Sequence, residues 1–285
     1  MPPIGPKLQL VRAALVMFFI LTFTLFLQLV FVGSFQQSSA QDRKFDELRS
    51  QLANGIAPVG PTANQNRLLA TGAPVAYLEI PEIGLRQVVV EGTTPSALFA
   101  GPGHRRDTPL PGQIGASVIM GRSAAFGGPF AKIDRLEAGD VVRVTTGQGT
   151  FEYSVIGVRR EGDEVPPPGA PGTGRLLLAT ADGQAFLPDG ILRVDAELAE
   201  GAVVGAARLF SANTLPAAEK LMGADTSTLW ALALWIQALI ALSLAAVWAW
   251  HRWGHPQAWI VFFPPLVLVG LTASGEVARL LPNLL

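Results

Sequence analysis

Cysteine is absent from the 285 residues, and histidine occurs three times, at His104, His251 and His255. Without a thiol the chain has no cysteine nucleophile, no thiolate-bound metal and no disulfide. His251 and His255 stand four positions apart, a spacing that places two imidazoles on one helix face for a metal. Gly254 and Pro256 predict a turn there instead, and an interfacial loop is the simpler reading. His104 follows Gly101, Pro102 and Gly103 and reads as a loop-structuring or groove-lining residue. Arg105, Arg106 and Asp107 read as a solvated loop tip, and Asp163 and Glu164, ahead of Pro166, Pro167 and Pro168, as an exposed loop. No dinucleotide glycine fingerprint, phosphate loop or zinc-binding helix motif is present, so no cofactor or metal is expected.

The elements that must position these residues divide between lipid and water. A hydrophobic content of 49% is high for a wholly soluble chain, whereas 21 basic against 22 acidic residues leave no electrostatic footprint for nucleic acid. Residues 13–32 run without a charge, matching the roughly 20 residues a helix needs to cross a hydrocarbon core of about 30 Å. A cleaved signal peptide is the competing reading, but its apolar region is usually about 7–15 residues. Lys7 and Arg12 precede this run with no acid before Asp42, which places residues 1–12 in the cytoplasm and the chain beyond Val32 outside. Residues 229–250 form a second run, with Trp230, Trp248 and Trp250 at its ends, that returns the chain to the cytoplasm. A third, 258–275, contains Pro264 and Pro265 and either crosses or re-enters. If it crosses, 276–285 lies outside, at the membrane interface. Ala231, Ala233, Ala238, Ala241, Ala245 and Ala246 are small enough to let another helix approach closely.

Between these segments, 34–73 reads as a stalk, with a juxtamembrane helix over 42–52 (Phe45, Leu48 and Leu52 at helical spacing) and a Pro/Gly/Asn linker over 54–66 that provides reach. Residues 74–200 turn to short β-rich runs at 75–80, 87–91, 117–120, 141–146, 150–159, 175–180 and 191–197, which predict an all-β sandwich or barrel. Gly147, Gln148 and Gly149 predict a hairpin turn, 96–100 and 127–136 short helical turns, and 201–228 a linker.

Within that β region, Ile80-Pro81-Glu82-Ile83-Gly84-Leu85 and Val88-Val89-Val90-Glu91-Gly92-Thr93 resemble the opening of sortases, the cysteine transpeptidases that attach proteins to Gram-positive cell walls. Gly101-Pro102-Gly103-His104, the stretch from Thr108 to Gly112, Val118-Ile119-Met120-Gly121, Phe126-Gly127, Pro129-Phe130 and Leu136 with Gly139-Asp140-Val141 continue the resemblance in order. In type it resembles the class E and F members of actinobacteria. The resemblance implies an eight-stranded β-barrel and a catalytic set of cysteine, histidine and arginine. The position of the histidine is Arg122 here and that of the cysteine is Ala181. The arginine position falls on Ile191, with Arg193 two residues on along the same strand face. The family's chemistry thus lacks its nucleophile and its base: Ala181 has no heteroatom, and a guanidinium stays protonated. Thr180 and Ser123 flank the altered positions, but a hydroxyl needs an activating base.

Three readings are open. The first is a pseudo-sortase: a membrane-held, extracytoplasmic barrel that binds a partner protein or peptide without turning it over, with Arg122, Arg193, His104 and Thr180 as candidate binding residues. Arg122 leads, either in a carboxylate-recognition patch or as a solvent-reaching space filler. The resemblance extends to sortase-like proteins beside ABC-type export systems, so subunits of such a transporter are the expected partners, along with membrane lipid. The second reading keeps a transpeptidase or hydrolase activity on a Ser or Thr hydroxyl. The third is a structural spacer of the cell envelope.

Overall fold

The computed structural model describes residues 19, 22–63, 67–207, 209–253 and 255–285. They form two compact units: the described residues up to Phe31 with Thr226–Leu280, and Val32–Asp225 with Leu281–Leu285. The chain therefore leaves the second unit after Asp225 and rejoins it at Leu281.

In the second unit β1 (Thr62–Ala63) and β2 (Arg67–Leu68) make a small ladder. The barrel strands are β3 (Pro74–Ile80), β4 (Leu85–Glu91), β5 (Gly103–His104), β6 (Gly115–Met120), β7 (Val141–Thr146), β8 (Gly149–Arg159), β9 (Gly174–Gln184) and β10 (Leu187–Leu198). These eight close in the order β10-β8-β7-β3-β4-β5-β6-β9. Period-two alternation sorts their faces. On β8, Phe151, Tyr153 and Val155 enter the core while Glu152 and Ser154 stay exposed. On β9, Leu176 and Leu178 point into the barrel, while Leu177, Ala179 and Ala181 lie on its outer face. The β6–β9 and β4–β5 pairs are parallel and the other pairs antiparallel. Seven strands match the expected runs. The eighth, β5, has only two residues, too few for a pattern. It lies so close to β4 that a Cβ on Gly103 would fall on the Gly92 carbonyl oxygen.

The expected stalk is different. Helix α1 spans Gly33–Ala53 rather than 42–52, and helical geometry is already present from residue 22. Gln37 and Gln41, one turn apart, anchor α1 to the barrel. The Gln41 amide accepts from Val88 N at 2.6 Å and donates to Val88 O at 3.0 Å and Ala100 O at 2.6 Å. It thereby replaces the strand partner that short β5 does not supply, since β5 pairs with β4 only at Val90 and Glu91. The predicted linkers are likewise fastened. Gln113 Nε2 donates to Val59 O at 3.0 Å, and Gln113 bridges to Val203. Leu215 and Glu219 are buried. Residues 201–225 form a strap on the barrel rather than a free linker.

In the first unit α2 (Leu229–Trp253) and α3 (His255–Leu280) pack on each other, and each is long and apolar enough to cross a membrane. Trp230, Leu244 and Ile260 are exposed, as lipid-facing side chains are. Helix α3 runs through Pro264 and Pro265 and exceeds the predicted 258–275 at both ends. Of the predicted segment 13–32, residues 13–18, 20 and 21 lie outside the described residues, as do 1–12, Gly254 and the side chains of His251 and His255.

Candidate functional site

The outer faces of β6, β9 and β10 build an apolar groove. Val118 and Met120 come from β6, Ala179 and Ala181 from β9, and Ile191 from β10. The register sets Met120 beside Ala179 and Ala181 beside Ile191. Leu281–Leu285 is seated in this groove. Leu284 is 0% and Leu285 6% exposed, and both join the cluster that contains Ala181. Burying two leucines contributes about 1.5–3 kcal/mol each. Their main chain is also held: Ser123 N donates to Leu284 O and Arg122 Nη1 to Leu285 O, both at 2.9 Å. Asn283 Nδ2 donates toward Thr93 O at 2.7 Å, Lys220 O at 2.9 Å and Ala218 O at 3.3 Å, while Asn283 N donates to Gly223 O at 2.9 Å. The predicted resting place of this stretch, a membrane interface, is thus corrected for 281–285: the seat for its apolar side chains is the barrel.

Arg122 is fully buried beneath this segment. Gly121, where a Cβ would press on the Phe130 ring, follows directly on β6. Arg122 Nη2 donates to Pro95 O at 3.1 Å, and the guanidinium carbon lies 4.9 and 5.1 Å from the Phe99 and Phe126 ring centroids. Phe126 has φ 52°, a left-handed conformation costing a bulky residue roughly 1–2 kcal/mol. Burial pulls the Arg122 pKa down to about 9. The unfolded chain holds that proton more tightly, so charged Arg122 opposes folding below pH about 9, and the opposition eases as pH rises further. The solvent-reaching expectation for Arg122 is corrected: it is fully buried, its Nη1 and Nη2 donate to Leu285 O and Pro95 O, and its Nε has no hydrogen-bond partner among the described residues.

The other candidates divide between this groove and elsewhere. Thr180 is buried and its hydroxyl donates to Gly121 O at 2.8 Å, a structural bond across β6 and β9. Ser123 lines a cleft of about 280 Å³ beside Ala181, with Phe130, Asp134 and Asp182, and among the described residues no histidine lines that cleft. Ile191 pairs with Ala181, whereas half-buried Arg193 pairs with Ala179 and Arg159 and reaches only Ile191 O at 3.5 Å. His104 is not in the groove wall. Its Nδ1 lies 2.9 Å from Glu91 Oε2 and its Nε2 3.0 Å from Pro109 O. Both neighbours accept, so the ring carries both protons. Burial pushes its pKa down, but the charge and hydrogen bond of Glu91 outweigh this and hold it above the ordinary imidazole value. Arg105, Arg106 and Asp107 are no solvated tip. Arg105 forks onto buried Asp107, and Arg106 lies 3.5 Å from Glu219 and over Phe210, fastening the strap. Asp163 and Glu164 are exposed, as expected. Sequence reasoning missed Pro95, Asn283, Leu284 and Leu285. The last three follow an apolar helix, and no local pattern links them to residue 122.

Residues 78–183, which hold both Arg122 and Ala181, match the family model for the sortase domain. Over that stretch the barrel is similar to sortase domains. The chain is 34% identical over 86 residues to sortase D of Bacillus subtilis (strain 168), a match covering 30% of this chain and 42% of that relative, so it spans less than half of the relative's length. Among solved structures it is similar to the Clostridium perfringens sortase D5 transpeptidase, at 20% identity and TM-score 0.47 over 57% of this chain and 99% of that one. Sortase E from Streptomyces avermitilis is also similar, at 29% identity and TM-score 0.39 over 46% and 91%. The sortase match stops before β10, so Arg193 and the seated segment lie beyond it.

Proposed function

We propose that this sortase-like barrel is a non-catalytic binding or accessory subunit of a membrane complex in the cell envelope. The observation that carries the reading is the pair Ala181 and Arg122. At the two positions where the family resemblance places nucleophile and base stand a methyl group packed on Leu284 and Leu285 and a guanidinium buried under Leu285. Acyl transfer needs a nucleophile with a base beside it. Thr180 has committed its hydroxyl proton to Gly121 O, and among the described residues no histidine lines the cleft at Ser123. Catalytic roles for His104 and Arg193 find no support in their contacts.

On this reading α2 and α3 are a membrane hairpin. One spanning helix already anchors a protein effectively irreversibly, so the additional helices, with small residues such as Ala238 and Ala245, are surfaces for another membrane protein. Subunits of an ABC-type exporter are the partner class proposed. The test is crosslinked, detergent-solubilised capture from native membranes, alongside an acylating active-site probe. A stoichiometric membrane partner and no covalent adduct are expected. An adduct on Ser123 or Thr180 would overturn the non-catalytic reading, and absence of any partner would leave the barrel a spacer.

A further inference from the structure

Away from the groove, the short turn Ala217–Glu219 of the strap makes two attachments. Its main chain accepts from both sides: Thr93 Oγ1 donates to Glu219 O at 2.6 Å, and the Asn283 amide donates to Ala218 O and Lys220 O. Its one charged side chain, Glu219, is 2% exposed and faces Arg106 and Glu91 of the barrel. We propose that Glu219 is a proton-operated latch: with its carboxyl protonated the strap stays closed on the barrel and keeps Asn283 clasped, and ionisation of that carboxyl as pH rises loosens both. The latch goes beyond the binding role proposed above and does not depend on it.

The charges around the carboxyl set the direction. Glu91, on β4, faces it with a like charge and is itself engaged by His104 of β5 at 2.9 Å. Arg106, in the loop after β5, is the one cation acting on it among the described residues, and stands 3.5 Å away. That is beyond the roughly 2.7–3.2 Å of a sound N–H···O bond, and Arg106 Nε and Glu219 Oε2 are both buried without a hydrogen-bond partner among the described residues. Arg106 also lies over the Phe210 ring, 5.4 Å from its centroid, so it keeps a place on the strap when the carboxyl is neutral. The other charges nearby are paired or exposed: Arg105 forks onto Asp107, and Lys220 is exposed. Gly60, Pro61 and Ala206, which close over Glu91, His104 and Arg106, bring no charge. An ionised Glu219 has thus left water with one oxygen unbonded and a second carboxylate facing it, a cost the neutral acid escapes. Burial pushes the Glu219 pKa above the ordinary carboxylate value; Arg106 opposes the rise without cancelling it, and Glu91 adds to it. In a released strap the side chain returns to water and to a pKa of about 4.3. Closure therefore takes up a proton: that part of the hold is complete below about pH 4.3 and is lost as pH rises through the closed value. Because Ala218 and Lys220 flank Glu219, loosening of the turn withdraws two acceptors from Asn283. The fastening of the segment that follows α3 thus answers to the pH at the barrel surface.

Hydrogen exchange of the full chain in detergent, followed from about pH 4.5 to about pH 8 with each rate divided by the intrinsic rate at that pH, reads the opening equilibrium directly. Protection over 211–223 and 281–285 should fall together by about tenfold as the pH is raised, the limit being tenfold per pH unit for one proton released. Protection of β8 should stay constant. Glu219→Gln keeps the shape and cannot ionise, so both segments should remain protected throughout. A strap less protected at acid pH, as a simple Arg106–Glu219 ion pair would make it, overturns the proposal, and so does a pH dependence that survives in Glu219→Gln. Where the glutamine leaves the strap open at every pH, Arg106→Gln decides in its place. Loss of that cation should move the fall in protection to higher pH, and an unmoved or lowered midpoint overturns the latch.

Discussion

At the scale of the residue, Arg122 presents an imbalance. A guanidinium taken out of water opposes folding, and such a group persists where it holds something else in place. Arg122→Met should remove the charge and keep most of the volume, so it is expected to change stability by less than about 2 kcal/mol. Arg122→Ala leaves a cavity and two orphaned acceptors and should cost about 3–5 kcal/mol. Urea unfolding of the two variants checks the order. Titration gives a second check: since the Arg122 pKa is lowered to about 9, wild type should gain stability relative to Arg122→Met as pH is taken above 9.

His104 has the opposite sign. Its pKa is raised by Glu91 against the effect of burial. The pair's contribution is therefore complete below the ordinary imidazole pKa of about 6.5 and is lost as pH rises through the higher folded value. Thermal melting across that range should show the midpoint falling in wild type and a flatter profile in His104→Gln. The sequence told where Arg122 and Ala181 would lie, because ordered motifs on β6 and β9 carry them. It was silent on what Arg122 touches, since Pro95 and Leu285 come from remote parts of the chain.

At the scale of the element, legibility followed length and alternation. Strand β8, with Phe151, Tyr153 and Val155 on one face, announced itself, whereas β5 at two residues had no period to read. Helix α1 was read too short because its first turns are polar, and polarity was taken as a sign of a stalk. Those glutamines instead finish the barrel. Gln41→Ala would leave Val88 N, Val88 O and Ala100 O without their side-chain partner, at about 1–3 kcal/mol for groups cut off from water. Hydrogen exchange at the Val88 amide should accelerate in that variant and leave β8 protection unchanged. Gly103→Ala should be far worse, because its Cβ would meet the Gly92 carbonyl rather than a movable side chain. Loss of the folded barrel by circular dichroism is the expected result.

At the scale of the whole molecule, connectivity restricts the membrane topology. The chain leaves the barrel unit after Asp225 and is back in it at Leu281, with a short turn at Thr226–Thr228 and then α2 and α3 between. On the proposed reading of α2 and α3 as membrane helices, two points fixed to one folded unit share a side of the membrane, so these helices would cross it an even number of times. Helix α3, at 26 residues and about 1.5 Å per residue, is longer than a hydrocarbon core of about 30 Å. The run 258–275 looked marginal in the sequence because Pro264 and Pro265 sit inside it, and hydropathy could not foresee that 281–285 has a seat in the barrel. Single cysteines in this cysteine-free chain decide the matter. With an impermeant maleimide on intact cells, Asp163→Cys should label on the barrel side, whereas Gln257→Cys, at the start of α3, should label only after permeabilisation. Labelling of both on intact cells would mean that α2 and α3 do not cross.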